Sequence, residues 1–467
     1  MTQSLKIIWL FLGLFFLAQA AYAETSTQKR RIEEEKRATL IDSQKTDIDS
    51  NQRILFDWGG WINFRYIDYD NDDNDSSSRD SFDYTYSNDT RLWMKAFLMP
   101  PPDSDYKNRH SFYLRLKDLY ITERPEDTAG GYDHDGPHLD YAYAILDLRP
   151  FWLEIGRHYL SVGRGIAYSD VGDGIQMTFL HKNWKLKALV SRSLPHQDNI
   201  DTSIPGYSKE SARSFYGIEA AHRLTLKQTL YGFWLLQRDF SDSNPIDTAH
   251  TYTYNSQYFG LGAQGKLPLD IDYWAELIHE SGKSYIFDSN EKKNVSAWGL
   301  NLGISYDWQI TGKPEFSLEY AFGSGDSDRA NVTDTQFGNT LGQDKNFLYF
   351  GYIPTGYALS PRLSNIHLYR VGATCVPFEK SPFFKKLKFG INYYRYYKDK
   401  SEGGIYDPDA NVSSSDIGSE IDLELSWQIS SELRWILQYG HFFPGGAYSS
   451  SNNDSDKYLS LSLTLTF

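Results

Sequence analysis

Charged side chains recur in this chain at every second position, and that spacing limits the chemistry open to them. Arg91 and Lys95 alternate with Leu92 and Met94, Arg115 and Lys117 with Leu114 and Leu116, and Lys185 and Lys187 with Trp184 and Leu186. Arg65 stands in the same way between Phe64 and Tyr66. Guanidinium and ammonium groups arrayed on one face hold oxyanions, Arg through its planar fork and Lys as a point charge. Later the sign changes. Glu420, Asp422 and Glu424 alternate with Ile421, Leu423 and Leu425, Glu319 stands between Leu318 and Tyr320, and Glu154, Glu219 and Glu276 join them. Arg370, Lys388 and Arg434 are the bases of that half.

A period of two is the repeat of a β-strand, so the elements that carry these groups are strands with one apolar and one polar face. The pattern is plainest in the last ten residues, YLSLSLTLTF, where Leu459, Leu461, Leu463, Leu465 and Phe467 alternate with Ser and Thr. About eighteen such segments, each near the ten residues a tilted strand needs to cross a membrane, run from residue 54 to the end. Tight connections such as Leu148-Arg149-Pro150 and His181-Lys182-Asn183 alternate with long polar ones such as 325–364 and 399–416. The predicted fold is all-β: a transmembrane antiparallel up-and-down barrel with short periplasmic turns and long extracellular loops.

Composition fits that class. The mean hydropathy of -0.54 would ordinarily mark a soluble chain, but in a barrel only alternate residues meet lipid. Aromatic residues make up 16%, as interfacial girdles require. The single cysteine excludes an internal disulfide, and the net charge of -14 argues against a nucleic-acid partner. Lys6, the apolar run 7–18 and Ala21-Tyr22-Ala23 read as a secretory signal peptide over residues 1–23. Residues 24–53, rich in charge, form either a small periplasmic helix or plug or a disordered tether. The barrel occupies 54–467. The aromatic ending resembles the signal that barrel-assembly machinery reads, which places the mature chain in a Gram-negative-type outer membrane. Its expected partners are that machinery, the lipid bilayer and lipopolysaccharide.

An Arg or Lys on the lipid face costs about 2 to 4 kcal/mol at the midplane, so the alternating charges must face inward. A barrel of this size has room for an aqueous channel, and a lumen crowded with charge is not expected to be a dry core. Bases gathered in the first seven strands would raise the local concentration of anions. The competing reading is that Arg and Glu on facing strands pair to stiffen the wall.

Residues 156–165 (GRHYLSVGRG), residues 317–326 (SLEYAFGSGD) and the run from Phe347 to Pro377, with Pro354-Thr355-Gly356-Tyr357 and Asn365-Ile366-His367, resemble the alginate-export family of outer-membrane porins. The resemblance implies an eighteen-stranded monomeric barrel whose basic pore passes a polyuronate. It also implies a long loop and a periplasmic turn able to occlude the pore, and a role for the inward Arg and Lys as carboxylate ligands. Against it, the inferred lumen holds about as many acids as bases. Arg157 also shares the parity of Leu153 and Ile155, which points it at lipid unless Gly156 marks a bulge. The expected cargo is an anionic sugar or polysaccharide moved by passive diffusion, with a porin for other solutes as the alternative.

No cofactor or metal is expected. Asp68, Asp70, Asp72, Asp73 and Asp75 crowd the first loop, but an EF-hand reading puts Asp73 where glycine is needed and Arg79 at position twelve. A barrel enzyme is the rival class. His158, His279 and His441 are scattered, and neither HExxH nor a P-loop is present.

Overall fold

The computed structural model describes residues 54–70, 84–98, 110–124, 131–194, 213–240, 254–286, 291–329, 332, 339 and 341–467. The expected signal peptide, the 24–53 segment and Asp72, Asp73 and Asp75 lie outside them. Eighteen strands make one sheet. Strands β1 to β6 are Ile54–Asp70, Tyr84–Leu98, His110–Arg124, Gly131–Leu148, Phe151–Val162 and Tyr168–His181. Strands β7 to β12 are Trp184–Ser193, Arg213–Thr225, Gln228–Asp239, Asn255–Lys266, Asp272–Tyr285 and Lys292–Asp307. Strands β13 to β18 are Glu315–Gly323, Ile366–Cys375, Leu387–Lys398, Asp416–Gln428, Leu433–Pro444 and Asp456–Thr466.

Each strand pairs antiparallel with its sequence neighbour, and β1 pairs with β18 from Trp61↔Thr466 to Asp70↔Lys457, so the sheet closes on itself. Closure satisfies the backbone groups that an open edge would leave bare in lipid. The seam is tight. Gly60 exchanges backbone hydrogen bonds with Phe467, and its missing side chain leaves room for the Phe467 ring.

The alternation sorts side chains as expected. On β18 Ser460, Ser462 and Thr464 are buried on the inner wall, while Leu461, Leu463 and Leu465 are exposed outward. On β2 Leu92, Met94 and Leu98 are exposed and Arg91 is buried. Ile421 and Leu423 face out from β16 as Glu420 and Asp422 turn in. So many exposed Leu, Ile, Phe and Trp side chains form a continuous apolar exterior, which only lipid can cover at low cost.

One end of the barrel carries tight connections, such as Lys182-Asn183 between β6 and β7 and Leu226-Lys227 between β8 and β9. At the other end lie long ones, including 324–365, 399–415 and 445–455. One connection at the long-loop end is short: residues 163–167, joining β5 to β6, are largely buried and turn into the bore.

The lumen departs from the expected open aqueous cylinder. The β13–β14 connection also folds inward, burying Phe347, Leu348, Ile353 and Leu363 against Leu160, Val162, Phe215, Leu235, Tyr258 and Ile278 of the wall. The half of the bore nearest the long loops therefore contains a packed apolar core. Period-two patterning assigns a face to each strand residue but says nothing about what a forty-residue loop brings into the space that the strands enclose.

Candidate functional site

Two inward-turned segments enter the bore and are held on carboxylates of the wall. Residues 345–365 cross the lumen as a strap. Near its start, Glu280 on β11 accepts the Leu348 backbone N–H at 2.8 Å and the Tyr254 and Tyr258 hydroxyls at 2.5 and 3.1 Å. In mid-course the strap lies along the short 163–167 loop, with Phe350 N–H donating to Ala167 and Tyr352 N–H to Gly165 at 3.0 Å. Gly351 allows that approach, since a Cβ there would collide with the Gly165 carbonyl. On the far wall Glu420 of β16 accepts three successive backbone N–H groups, from Tyr357, Ala358 and Leu359, at 2.6, 2.7 and 3.1 Å, and the Tyr396 hydroxyl at 3.0 Å. Gly356 (φ +132°) provides the turn that aims those N–H groups at one carboxylate. Tyr357 then hands its hydroxyl to Glu424 at 2.9 Å. Hydrogen bonds to a charged acceptor contribute roughly 1.5 to 3 kcal/mol each, so these anchors add to the apolar packing of Phe347, Leu348, Ile353 and Leu363 in holding the strap.

The short loop is fixed in the same way. Glu219 on β8 accepts Gly163 N–H at 2.9 Å and pairs with Lys187 at 2.7 Å. Glu276 on β11 accepts Arg164 N–H at 2.7 Å and the Tyr231 hydroxyl at 2.8 Å. With its backbone held, Arg164 projects an exposed side chain whose guanidinium lies 4.9 Å from the Trp274 ring centre. On the strap Arg362 lies 5.9 Å from the rings of both Tyr349 and Tyr406.

The inner wall places every expected site residue but divides them by role. Glu219, Glu276, Glu420 and Glu424 turn inward and bind loop backbone or tyrosine hydroxyls rather than facing open water. Glu319 is paired with Arg370 and accepts Asn301 at 2.7 Å. Asp422 is buried beside them, and Glu154 accepts Gln176 at 3.3 Å. Among the bases, Arg91 pairs with Asp89 and Asp140 at 2.8 and 2.9 Å, and Arg115 with Asp140 at 2.5 Å, its guanidinium 4.0 Å over the Tyr141 ring. These two are paired and buried in the wall rather than open to the bore. Lys117 lies 3.7 Å from Asp135, Lys388 lies 3.8 Å from Glu315, and Lys95 sits over Phe97. Arg65 meets neutral partners, the Ser460 and Tyr458 hydroxyls at 3.0 and 2.6 Å, and Arg434 meets Ser426 at 3.2 Å. Lys185 is exposed close to the β6–β7 turn.

Three important residues were hidden from sequence reasoning, and a fourth was passed over. Asp140 was missed because a register shift opposite Arg115 and Leu116 points both Asp140 and Tyr141 inward, breaking the period. Arg164 and Arg362 lie in connections, where alternation carries no signal. Glu280 did carry one: it shares the parity of Glu276 in WAELIHE. Gly156 has φ +124°, yet register runs unbroken from Glu154↔Gln176 to His158↔Gly172, so no bulge rescues Arg157. It stays on the outer face, where its guanidinium grips both Asp173 oxygens at 2.9 and 3.0 Å.

Asp140 is the shared counter-ion of two buried guanidinia, so Asp140→Ala should destabilise the barrel by about 3 kcal/mol, the range for stripping one partner from a buried pair. The check is the urea midpoint of the protein folded in lipid vesicles. A midpoint equal to that of the unaltered protein would show that Arg91 and Arg115 are held by other contacts.

A closed eighteen-strand barrel with an apolar exterior, a polar inner wall and loops packed into its bore is an outer-membrane channel of the porin type. The family model described as alginate export matches residues 83–461, and the chain belongs to that family. Among solved structures the barrel is similar to Acinetobacter baumannii OccAB1, with a TM-score of 0.54 at 10% identity over 88% of this chain and 96% of that one. Pseudomonas aeruginosa OccK8 (OprE) matches with a TM-score of 0.53 at 13% identity over 88% and 98% of the two chains. OccK7 (OpdD) of the same organism gives 0.52 at 14% identity over 88% and 98%. At such identities the likeness is one of fold. No curated protein matches the chain.

Proposed function

We propose that this channel passes an anionic saccharide of the polyuronate kind by passive diffusion, with Arg164 and Arg362 as its carboxylate contacts. One observation carries the reading. Most of the inward acids that seemed to cancel the bases of the lumen, Glu219, Glu276, Glu319, Glu420 and Glu424, are engaged by loop backbone, tyrosine hydroxyls or buried cations. Arg164 and Arg362 stand on aromatic rings and, among the described residues, pair with no carboxylate. Two guanidinia without an ionic partner among the described residues thus stand on the inward-turned segments, positions from which they can attract an anion although the chain as a whole is acidic. Aromatic faces beside guanidinia also suit a sugar acid, whose C–H face stacks while its carboxylate takes a forked pair of hydrogen bonds. The family's description, alginate export, agrees with that chemistry.

Planar-bilayer recording tests the proposal. The zero-current potential in asymmetric salt should report anion preference, and uronate oligomers should block the current reversibly where neutral oligosaccharides of equal length do not. Cation preference, or equal block by both sugars, would refute it.

A further inference from the structure

The outer face carries a sharp chemical boundary along β5 to β9. Three successive outward rows there are apolar: Phe151, Phe179 and Leu186; then Leu153, Met177, Ala188, Ile218 and Trp234; then Ile155, Ile175, Val190, Tyr216 and Leu236. The next row towards the long loops is Arg157, Asp173, Arg192, Ser214 and Arg238, each the direct cross-strand neighbour of the one before. Climbing β7 from Trp184 to Arg192, or β9 from Leu230 to Arg238, covers about 20 Å of height for a tilted strand, which brings both guanidinia to the outer edge of an apolar belt ~25 Å tall.

We propose that Arg192, Ser214 and Arg238 bind the phosphate of an outer-leaflet glycolipid headgroup. Arg157 occupies both Asp173 oxygens, so the carboxylate next to Arg192 is already spent. Arg192 and Arg238 are exposed and, among the described residues, have no carboxylate partner. They flank Ser214 across two strand spacings, about 10 Å, a gap that two arginine side chains can close onto one tetrahedral oxyanion above a hydroxyl donor. A guanidinium at this depth is costly beside acyl chains alone and stable where phosphates lie. A free anion in solution would meet these arginines with lipid packed on one side, whereas a phosphate tethered to acyl chains arrives with its own tails placed on the Val190, Tyr216 and Leu236 row. That continuity between apolar rows and cationic row selects the lipid over free phosphate.

Native mass spectrometry of the detergent-purified full chain tests this with bisphosphorylated lipid A, its dephosphorylated form and inorganic phosphate as probes. The unaltered protein should retain the bisphosphorylated lipid, and R192A/R238A should lose about tenfold or more in affinity for it, as expected for removing two charge-assisted contacts. Binding of the dephosphorylated lipid should be equally weak in both. R192K/R238K keeps charge without the fork, so it should fall between them and serves if the alanine variant fails to assemble. Equal retention of the phosphorylated lipid by both variants and the unaltered protein would overturn the proposal. So would full competition by millimolar inorganic phosphate, which would mark a site for free anion. Bilayer conductance and anion preference should not change in either variant, so failure here is distinct from failure of the channel reading.

Discussion

Arg164→Glu should turn the channel away from anions, moving the zero-current potential in asymmetric salt towards the cation side. The effect is large because the side chain is exposed on a loop that turns into the bore while its backbone is held by Glu276, so the charge can be changed without releasing the loop. Two unit charges 4 Å apart interact by about 1 kcal/mol in bulk water and about 4 kcal/mol at the effective dielectric near a protein surface. Reversing one charge beside a passing ion should thus shift the anion-to-cation permeability ratio by about tenfold or more. Arg362→Glu should act in the same direction and add to it, the two residues lying on different segments. Folding should survive, since the lost Arg164 stacking on Trp274 is a contact of about 0.5 to 2 kcal/mol. By contrast, replacing Arg91 and Arg115 with Glu should damage assembly rather than selectivity, because both are buried against Asp140. A reversal potential that ignores Arg164→Glu would remove the short loop from the selectivity mechanism.

Glu280→Ala combined with Glu420→Ala should raise single-channel conductance severalfold and make the current noisy. Glu280 on β11 and Glu420 on β16, five strands apart round the wall, hold the strap through four backbone N–H groups, at Leu348, Tyr357, Ala358 and Leu359. Without the carboxylates those donors must turn to water, and a buried polar group left without its partner costs about 1 to 3 kcal/mol. Residual packing of Phe347 and Leu363 then competes with a strap free to leave the bore. Glu420→Gln keeps an acceptor oxygen without the charge and should give an intermediate conductance. If the double variant conducts like the unaltered protein, the strap is held by its apolar contacts and the carboxylates are incidental.

Much of this molecule was readable residue by residue. Leu459 to Phe467 announced a half-buried strand, and the same arithmetic placed Arg65, Arg91, Lys187, Glu219, Glu276, Glu319, Glu420 and Asp422 on the inner wall, where the structure has them. Strand count and the division into tight and long connections followed, since both depend on local periodicity and on turn residues. Arg157 shows where local reading reached further than it seemed. Its parity pointed outward, and it does lie there, in the same outward row as the residues of the proposed lipid contact.

What eluded that reading was pairing. Whether an inward carboxylate faces water, a cation or a loop backbone depends on neighbours tens to hundreds of residues away, as with Glu276 and Arg164 or Asp140 and Arg91. The sequence by itself determined the barrel, its size, its orientation of faces and the family to which it belongs, because a two-residue alternation is a local property that closure into a cylinder merely satisfies. Only the tertiary structure decided that the acids are fastenings, that a strap fills part of the bore and that Arg164 and Arg362, both on connections, stand on aromatic rings. Those outcomes rest on where connections without periodicity come to lie, and no local pattern encodes that.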